Sequence, residues 1–377
     1  MDKKNKKMFG WVLLIAFFAL HVSGLAEYTL AQIPGETEPV SSGLLEHAYL
    51  ENNWQVNLPV KNMEKVDRMY SFGKYLYVLT NQNYLFCIDK EKGTIRFDIQ
   101  LTAMGLPVSE PYYYSDKLWF MVGNQLLVLN PAVGSVTESK NLDIVGRNVV
   151  CSPVRNSKYI FLAGSDKRLH AIVADEYWQN FMVTADDDSL ITSVIADEER
   201  AVFTTKSGSV VCICAWQPDK LWQFNVSGRI SAPIIRDKNW LYISCEDTKL
   251  YKLDVYTGKS GWDIPFQAEQ ILVDSARVGK KVIYQYIASK GLYAIDKTSG
   301  KKIWHLQEGM DLLTEMGKAA YVLAEPSKLV VMDNDSGRKL FTVDMPTVSG
   351  HVANTTDSII YVSDDTGKVT SIVKTGK

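Results

Sequence analysis

The stretch "LYAIDKTSGKKIW", residues 292–304, carries the pattern that decides the fold. It opens with apolar residues alternating with small or polar ones, which is typical of a strand. Asp296 can accept hydrogen bonds from turn amides, and Gly300 can take the positive φ that a tight reversal needs. Trp304 then begins a second strand, where a large ring can fill the space between neighbouring sheets. The stretch therefore predicts two antiparallel strands joined by a turn.

This pattern recurs along most of the chain. Seven short apolar strands end at anchor positions that follow one another at intervals of 37 to 43 residues: Asp89, Asn130, Val173, Cys214, Asp254, Asp296 and Asp333. Five anchors have a glycine four residues on: Gly93, Gly134, Gly258, Gly300 and Gly337. Six have an aromatic residue eight residues on: Phe97, Phe181, Trp222, Trp262, Trp304 and Phe341. We expect the five Asp or Asn anchors that precede a glycine to form the repeat turns, and the aromatics to pack between repeats.

A period near 41 residues with several strands in each unit predicts an all-β propeller. An eighth unit is divided between the two ends of the chain. Residues 357–376 supply two of its inner strands, and "NNWQVNL", residues 52–58, supplies the missing strand with Trp54 as its aromatic. Pairing the N- and C-terminal strands would close the ring and remove its exposed edges. We predict eight blades, with seven as the alternative.

The N-terminal residues suggest that the protein is exported. Residues 1–31 combine a basic start, an apolar stretch and small residues, which is typical of a signal peptide or of an uncleaved signal anchor. Residues 32–48 are rich in Pro, Gly, Ser and Glu and are predicted to be a linker, and residues 49–377 form the propeller. We therefore expect a periplasmic or extracellular protein. It would contact the membrane, as an inner-membrane anchor, only if the N-terminal segment stays uncleaved.

Composition and spacing exclude several kinds of function. The chain is 46% hydrophobic and 22% charged with a formal net charge of −2. It contains no run of five like charges, so we do not expect a nucleic-acid partner. No histidine spacing predicts a metal site, and no Gly-x-Ser-x-Gly motif predicts a nucleophile. We predict no catalytic, metal-binding or cofactor-binding residue. The acidic stretch "TADDDSL" around Asp187 lacks the spacing of a calcium loop and is interpreted as a solvated loop between blades.

Residues 250–262, "LYKLDVYTGKSGW", and residues 292–304 resemble the pyrroloquinoline quinone (PQQ) repeat, with its LYALD strand, Asp-x-x-Thr-Gly turn and following tryptophan. Two groups of propellers share this repeat. Quinoprotein dehydrogenases are longer and typically carry a disulfide between adjacent cysteines, whereas the five cysteines here include no adjacent pair. The chain is more similar to the non-enzymatic propellers that resemble the outer-membrane assembly lipoprotein BamB. Unlike BamB it has Leu25 where the lipidated cysteine would stand, so we do not expect a lipoprotein.

The resemblance implies a non-catalytic scaffold that binds protein, with components of the envelope or of outer-membrane assembly as its partners. Three tryptophans that the repeat does not use are the candidate binding residues: Trp178, Trp216 and Trp240. Because aromatic rings offer flat apolar faces, the same residues allow an alternative function as a glycan-binding propeller. A PQQ-dependent dehydrogenase is the second alternative.

Overall fold

The computed structural model describes residues 40–142 and 148–376. Strands dominate these residues and form eight antiparallel sheets of four strands each. The first strands of neighbouring sheets pack against one another, so they surround the centre of a ring of blades. The structure confirms the predicted eight-bladed propeller and excludes the seven-bladed alternative.

The strands are numbered in chain order, and each blade is given from its innermost to its outermost strand. Blade 1 comprises β2 (Val66–Phe72), β3 (Tyr75–Thr80), β4 (Tyr84–Asp89) and β5 (Ile95–Gln100). Blade 2 comprises β6 (Tyr112–Tyr114), β7 (Lys117–Val122), β8 (Gln125–Leu129) and β9 (Val136–Asn141). Blade 3 comprises β10 (Val154–Arg155), β11 (Tyr159–Ala163), β12 (Arg168–Val173) and β13 (Gln179–Thr184). Blade 4 comprises β14 (Ile191–Ala196), β15 (Arg200–Thr205), β16 (Ser209–Cys214) and β17 (Lys220–Asn225).

The second half of the ring follows the same order. Blade 5 comprises β18 (Ile235–Asp237), β19 (Trp240–Cys245), β20 (Lys249–Asp254) and β21 (Phe266–Gln267). Blade 6 comprises β22 (Arg277–Val278), β23 (Val282–Ile287), β24 (Gly291–Asp296) and β25 (Lys302–Leu306). Blade 7 comprises β26 (Gly309–Met316), β27 (Ala319–Ala324), β28 (Lys328–Asp333) and β29 (Lys339–Asp344). Blade 8 comprises β30 (Val348–His351), β31 (Ile360–Asp364), β32 (Lys368–Lys374) and β1 (Leu50–Asn57).

The antiparallel order gives the ring two different faces. In each of blades 1–7, the connection between the first and second strands and the repeat turn between the third and fourth strands lie at one end, which we call the turn face. The connection between the second and third strands and the connection to the next blade lie at the other end, which we call the loop face. Any residue in a connection can therefore be placed on a face from the strand order alone.

The terminal strands close the ring within blade 8. β1 pairs antiparallel with β32, from Leu50 opposite Lys374 to Asn57 opposite Lys368. The indole N–H of Trp54 in β1 donates to the carbonyl oxygen of Lys90 in blade 1 at 2.7 Å. The structure confirms the closure that was predicted from the two half-repeats.

The structure corrects the C-terminal end of the predicted linker. Residues 42–47 form a helix, α1 (Ser42–His47), which the sequence analysis did not predict. Val40, Leu45 and Ala48 around it are buried in the same apolar cluster as Leu313 and Met345 of blade 7. Because these apolar side chains leave water, residues 40–48 pack on the propeller instead of acting as a free spacer.

The rest of the predicted leader and linker, residues 1–39, lies outside the described residues. In the described part of the chain, no helix is long and apolar enough to cross a membrane. The predicted signal segment, residues 1–31, remains a prediction.

Hydrogen bonds to the anchor carboxylate stabilise the predicted repeat turns in blades 5 and 6. Asp254 Oδ1 accepts hydrogen bonds from the Tyr256 and Thr257 amides at 3.0 and 2.9 Å. Asp296 Oδ1 accepts from the amide and hydroxyl of Ser299, both at 2.7 Å. Burial raises the pKa of Asp296, but these bonds outweigh it and lower the pKa below its usual value. The anchor carboxylate therefore stays ionised and holds the turn.

A glycine is favoured in the repeat turn for two reasons. The five turn glycines have φ between +66° and +72°, where a Cβ is strained. A Cβ added to Gly300 would also lie 2.7 Å from the Trp262 ring, and one added to Gly258 would lie 2.6 Å from the Trp222 ring. Each of these rings comes from the preceding blade, so the glycine makes room for its neighbour's aromatic.

The tryptophans of the repeat also bond to the following blade. Trp222 Nε1 donates to the Val255 carbonyl at 3.1 Å, and Trp262 Nε1 donates to the Lys297 carbonyl at 3.2 Å. In both cases the acceptor is the residue after the next anchor. Phe181 and Phe341 are predicted repeat aromatics whose next blade has no turn glycine, and they pack differently. Phe181 contacts Tyr159 of its own blade, and Phe341 contacts Tyr49.

Candidate functional site

The turn face of blades 3, 4 and 5 exposes large aromatic side chains. Trp178 lies in the β12–β13 turn and Trp216 in the β16–β17 turn, and each is 49% exposed. Tyr256 lies in the following β20–β21 turn and is 46% exposed. Three consecutive blades thus each present one half-exposed ring on the same face.

Trp240, the third predicted binding residue, is packed rather than free. It begins β19, and the ammonium of Lys252 lies 4.4 Å from its ring centroid. A Cβ added to Gly261 would lie 2.4 Å from the Trp240 ring, which shows how closely the backbone covers it. Lys252 is itself buried and donates to the Lys297 carbonyl at 2.8 Å; burial and the charge of Lys297 lower its pKa. The structure therefore does not group Trp240 with the two exposed tryptophans.

Tyr256 is the aromatic that sequence reasoning missed. Both Tyr256 and Trp216 stand two residues after an anchor, Asp254 and Cys214, at the tip of the repeat turn. This two-residue offset from the anchor could have identified Tyr256 from the sequence. We define the aromatic patch as Trp178, Trp216 and Tyr256 with the charged neighbours Glu176 and Arg200.

Charged groups position the rings of the aromatic patch. Trp178 Nε1 donates to the carboxylate of Glu176 at 2.5 Å. The Arg200 guanidinium of blade 4 lies 4.4 Å from the Tyr256 ring centroid in blade 5 and pairs with Glu199 at 3.1 Å. Acidic residues are frequent in the turns of blades 3 and 4: Asp175, Glu176, Asp197, Glu198, Glu199 and Asp219. The three rings therefore have mainly acidic neighbours on the side of blades 3 and 4.

One of these acids links the two blades. Glu198 in blade 4 accepts hydrogen bonds from the Ser157 hydroxyl and amide of blade 3, the amide at 3.1 Å. Hydrogen bonding from the Ser157 side chain lowers the pKa of Glu198. The acidic edge of the patch is thus charged at neutral pH and held by the scaffold.

A second concave region lies along the central channel. One cavity of about 480 Å³ lies between Tyr112 of blade 2 and Arg236 of blade 5. Another of about 420 Å³ follows β2 and reaches Arg277, Asp311 and His351 in blades 6, 7 and 8. The innermost strands line both cavities.

An ionic cluster ties three blades together at this channel. Asp311 accepts two hydrogen bonds from Arg277, from Nε at 3.0 Å and Nη2 at 2.9 Å, and contacts His351 Nε2 at 3.0 Å. Burial raises the pKa of Asp311, but hydrogen bonds from His351 and Arg277 outweigh it and lower the pKa to about 2. Asp311 is therefore a charged link between blades 6, 7 and 8.

The acidic stretch of blade 3 has structural contacts, in keeping with its interpretation as a loop between blades. Asp187 Oδ2 accepts from the hydroxyls of Thr205, Ser207 and Ser209 at 2.7, 2.5 and 2.8 Å. Its neighbours Asp186 and Asp188 pair with lysines. Within residues 40–142 and 148–376, no group of three or more His, Cys, Asp or Glu side chains is placed to hold a metal ion.

Comparison with known proteins gives a family match and structural matches. The family model described as "Outer membrane protein assembly factor BamB" matches residues 51–264 and 217–332. The crystal structure of BamB from Moraxella catarrhalis superposes with a TM-score of 0.64 at 10% identity, covering 87% of this chain and 98% of that one. The computationally designed Ika8 protein gives the same TM-score at 12% identity, covering 84% and 98%. None of the curated proteins matches the sequence.

The two structural matches have different consequences from the family match. At 10% and 12% identity they show the fold alone, and one of them is a designed protein. The ring of eight blades therefore does not specify an activity, which must be sought in surface residues.

Proposed function

The chain belongs to the family of the outer membrane protein assembly factor BamB, and from this premise we propose that it is an exported, non-catalytic scaffold that binds protein. The N-terminal pattern of residues 1–31 supports export to the periplasm or cell surface. The family match favours binding over the dehydrogenase alternative. The partners proposed for it are components of outer-membrane assembly.

We propose the aromatic patch as the contact surface. Trp and Tyr are enriched among the residues that contribute most to protein–protein binding, because a rigid ring buries a large area at little entropic cost. The observation that carries the proposal is that three consecutive blades each expose one such ring on the same face. The surrounding acids would favour a partner surface with Lys or Arg groups and speed its encounter.

The glycan-binding alternative would use the same exposed rings. It requires stacking of sugar rings on Trp178 and Trp216 but does not depend on a charged partner surface. The kind of ligand that the wild-type protein retains, a glycan or a protein, would distinguish the two functions. Glycan binding remains a prediction.

We expect the double variant Trp178→Ala/Trp216→Ala to bind an outer-membrane assembly component at least about 30-fold more weakly than the wild type, since truncating two central aromatics costs about 2 kcal/mol or more. The measurement is biolayer interferometry with purified components of the host's assembly machinery. The matched control is Leu221→Ala, because Leu221 is also 49% exposed but lies on the outer strand of blade 4. Equal affinities for the double variant and the wild type would contradict the proposed surface.

A further inference from the structure

Three cavities of the channel meet at one side chain, Glu110. It lines the cavity on the blade 3–5 side, the cavity along β2, and a third of about 450 Å³ that opens at the loop face beside Val150. Glu110 is exposed, and among the described residues it alone lines all three of these cavities. A ligand in any of them would come close to this carboxylate.

The backbone before Glu110 is held in place by two blades. Arg68 Nη2 of blade 1 donates to the Val108 carbonyl at 3.0 Å. The Ser109 amide donates to the Met121 carbonyl at 2.9 Å, and the Ser109 hydroxyl accepts from the Met121 amide at 2.9 Å. Glu110 is therefore presented by a fixed segment and not by a free loop.

Prolines open the channel beside Glu110. Pro111 and Pro153 directly precede β6 and β10, and Pro233 stands two residues before β18. Proline has no N–H to donate to the sheet, and these three innermost strands have only two or three residues, whereas β14 between them has six. The 480 Å³ cavity is lined by residues at these short strands and by β14.

Much of the lining of this cavity is apolar, and an unpaired strand edge borders it. We define the apolar wall by the residues Tyr112, Val150, Cys151, Ile195, Pro233 and Ile234. β14 is the terminal strand of its sheet and pairs only with β15, so its other edge faces the channel. An extended chain could bond to such an edge while its side chains contact the wall.

Among the described residues, the charged side chains that line the first two cavities are already paired, except Glu110. Arg277 is bonded to Asp311, Arg236 pairs with Asp197 at 2.9 Å, and Arg68 pairs with Asp67 at 3.0 Å. No hydrogen bond or ion pair from the described residues reaches the Glu110 carboxylate. A cationic group would complement this carboxylate without displacing an existing pair.

We propose that the channel binds an extended peptide segment in which a Lys or Arg side chain pairs with Glu110 and neighbouring apolar side chains pack on the apolar wall. This site is separate from the aromatic patch and does not depend on it. Its ligand is a flexible stretch of polypeptide, whereas the patch would bind a folded surface.

The test uses two fluorescent peptides, one with a central lysine flanked by two valines on each side and one with glutamate in place of the lysine. By fluorescence anisotropy at low salt, we expect wild-type protein to bind the lysine peptide at least tenfold more tightly than the glutamate peptide. Glu110→Gln should abolish this preference while changing the melting temperature little, because the carboxylate loses no hydrogen bond or ion pair within the described residues. The control is Glu91→Gln, an exposed carboxylate in the β4–β5 turn outside the channel.

Failure of this proposal can be told apart from failure of the proposed function. The Trp178→Ala/Trp216→Ala variant should retain the full lysine preference. Equal binding of the two peptides by the wild type, or a preference that survives Glu110→Gln, would overturn the channel proposal and leave the aromatic patch untouched.

Discussion

Replacing Trp262 with alanine is expected to lower the free energy of unfolding by about 3–5 kcal/mol, the usual cost of truncating a buried tryptophan. The Trp262 side chain is 4% exposed and fills the space over Gly300 of the next blade. The variant would lose this packing and the hydrogen bond to the Lys297 carbonyl. It would also remove a ring that lies 5.7 Å from the Lys252 ammonium, leaving that buried charge less covered.

The measurement is chemical denaturation followed by tryptophan fluorescence and circular dichroism. Trp216→Ala is the matched control, since it removes the same side chain from an exposed turn and should change stability by no more than about 0.5 kcal/mol. If both variants lost the same stability, the repeat aromatic would not be the inter-blade contact that the structure indicates.

Asp311→Asn is the second change with a large expected effect. At pH 7 we expect it to cost about 2 kcal/mol, because it removes the charged partner of Arg277 and His351. A fully buried pair would cost more, but the Arg277 side chain is 40% exposed and water screens part of its charge.

The effect should depend on pH in one direction. The pKa of Asp311 is about 2 in the folded protein against an ordinary value of 3.8. A carboxyl group whose pKa is lower when folded contributes its full stabilisation above the unfolded pKa and loses it as pH falls through the folded pKa. The difference between wild type and Asp311→Asn should thus be constant from pH 7 to about 5 and shrink between pH 4 and 2.

Denaturation midpoints at pH 7, 5 and 3 would check this expectation. Asp335→Asn is the control, because Asp335 pairs with Lys318 on the surface and both side chains are more than half exposed. Its effect should stay within about 0.5 kcal/mol at each pH. A cost for Asp311→Asn that grew toward pH 3 would show that the carboxylate does not stabilise the ring through its charge.

The sequence repeat predicts the ring because each of its residues has a local physical task. An aspartate at Asp296 and a glycine at Gly300 encode a turn, and Trp304 eight residues later encodes a large ring on the next strand. A turn glycine in five of the seven units and the offset aromatic in six, with Trp54 in the N-terminal strand, predict a propeller of eight or seven blades and the closure in blade 8.

The candidate sites were less predictable because they depend on contacts between residues that are distant in sequence. Trp240 and Trp216 are both outside the repeat pattern in sequence, but Lys252 and Gly261 cover only Trp240. Short-range composition predicted residues 40–48 to be a linker, whereas the burial of Leu45 needs side chains of blade 7, such as Leu313, that are distant in sequence. Glu110 likewise lines cavities that several blades form together, and no sequence motif indicates this position.

Site-specific photo-crosslinking would show whether the turn face of blades 3–5 contacts a protein partner, as we propose. Benzoylphenylalanine would be placed at Trp178 and at Trp216, and at Leu340 on the outer strand of blade 7, which is exposed to a similar degree. We expect positions 178 and 216 both to crosslink in cells to the same outer-membrane assembly component, with no such product at 340. Crosslinks to that component at 340 alone, or none at any of the three positions, would contradict this expectation.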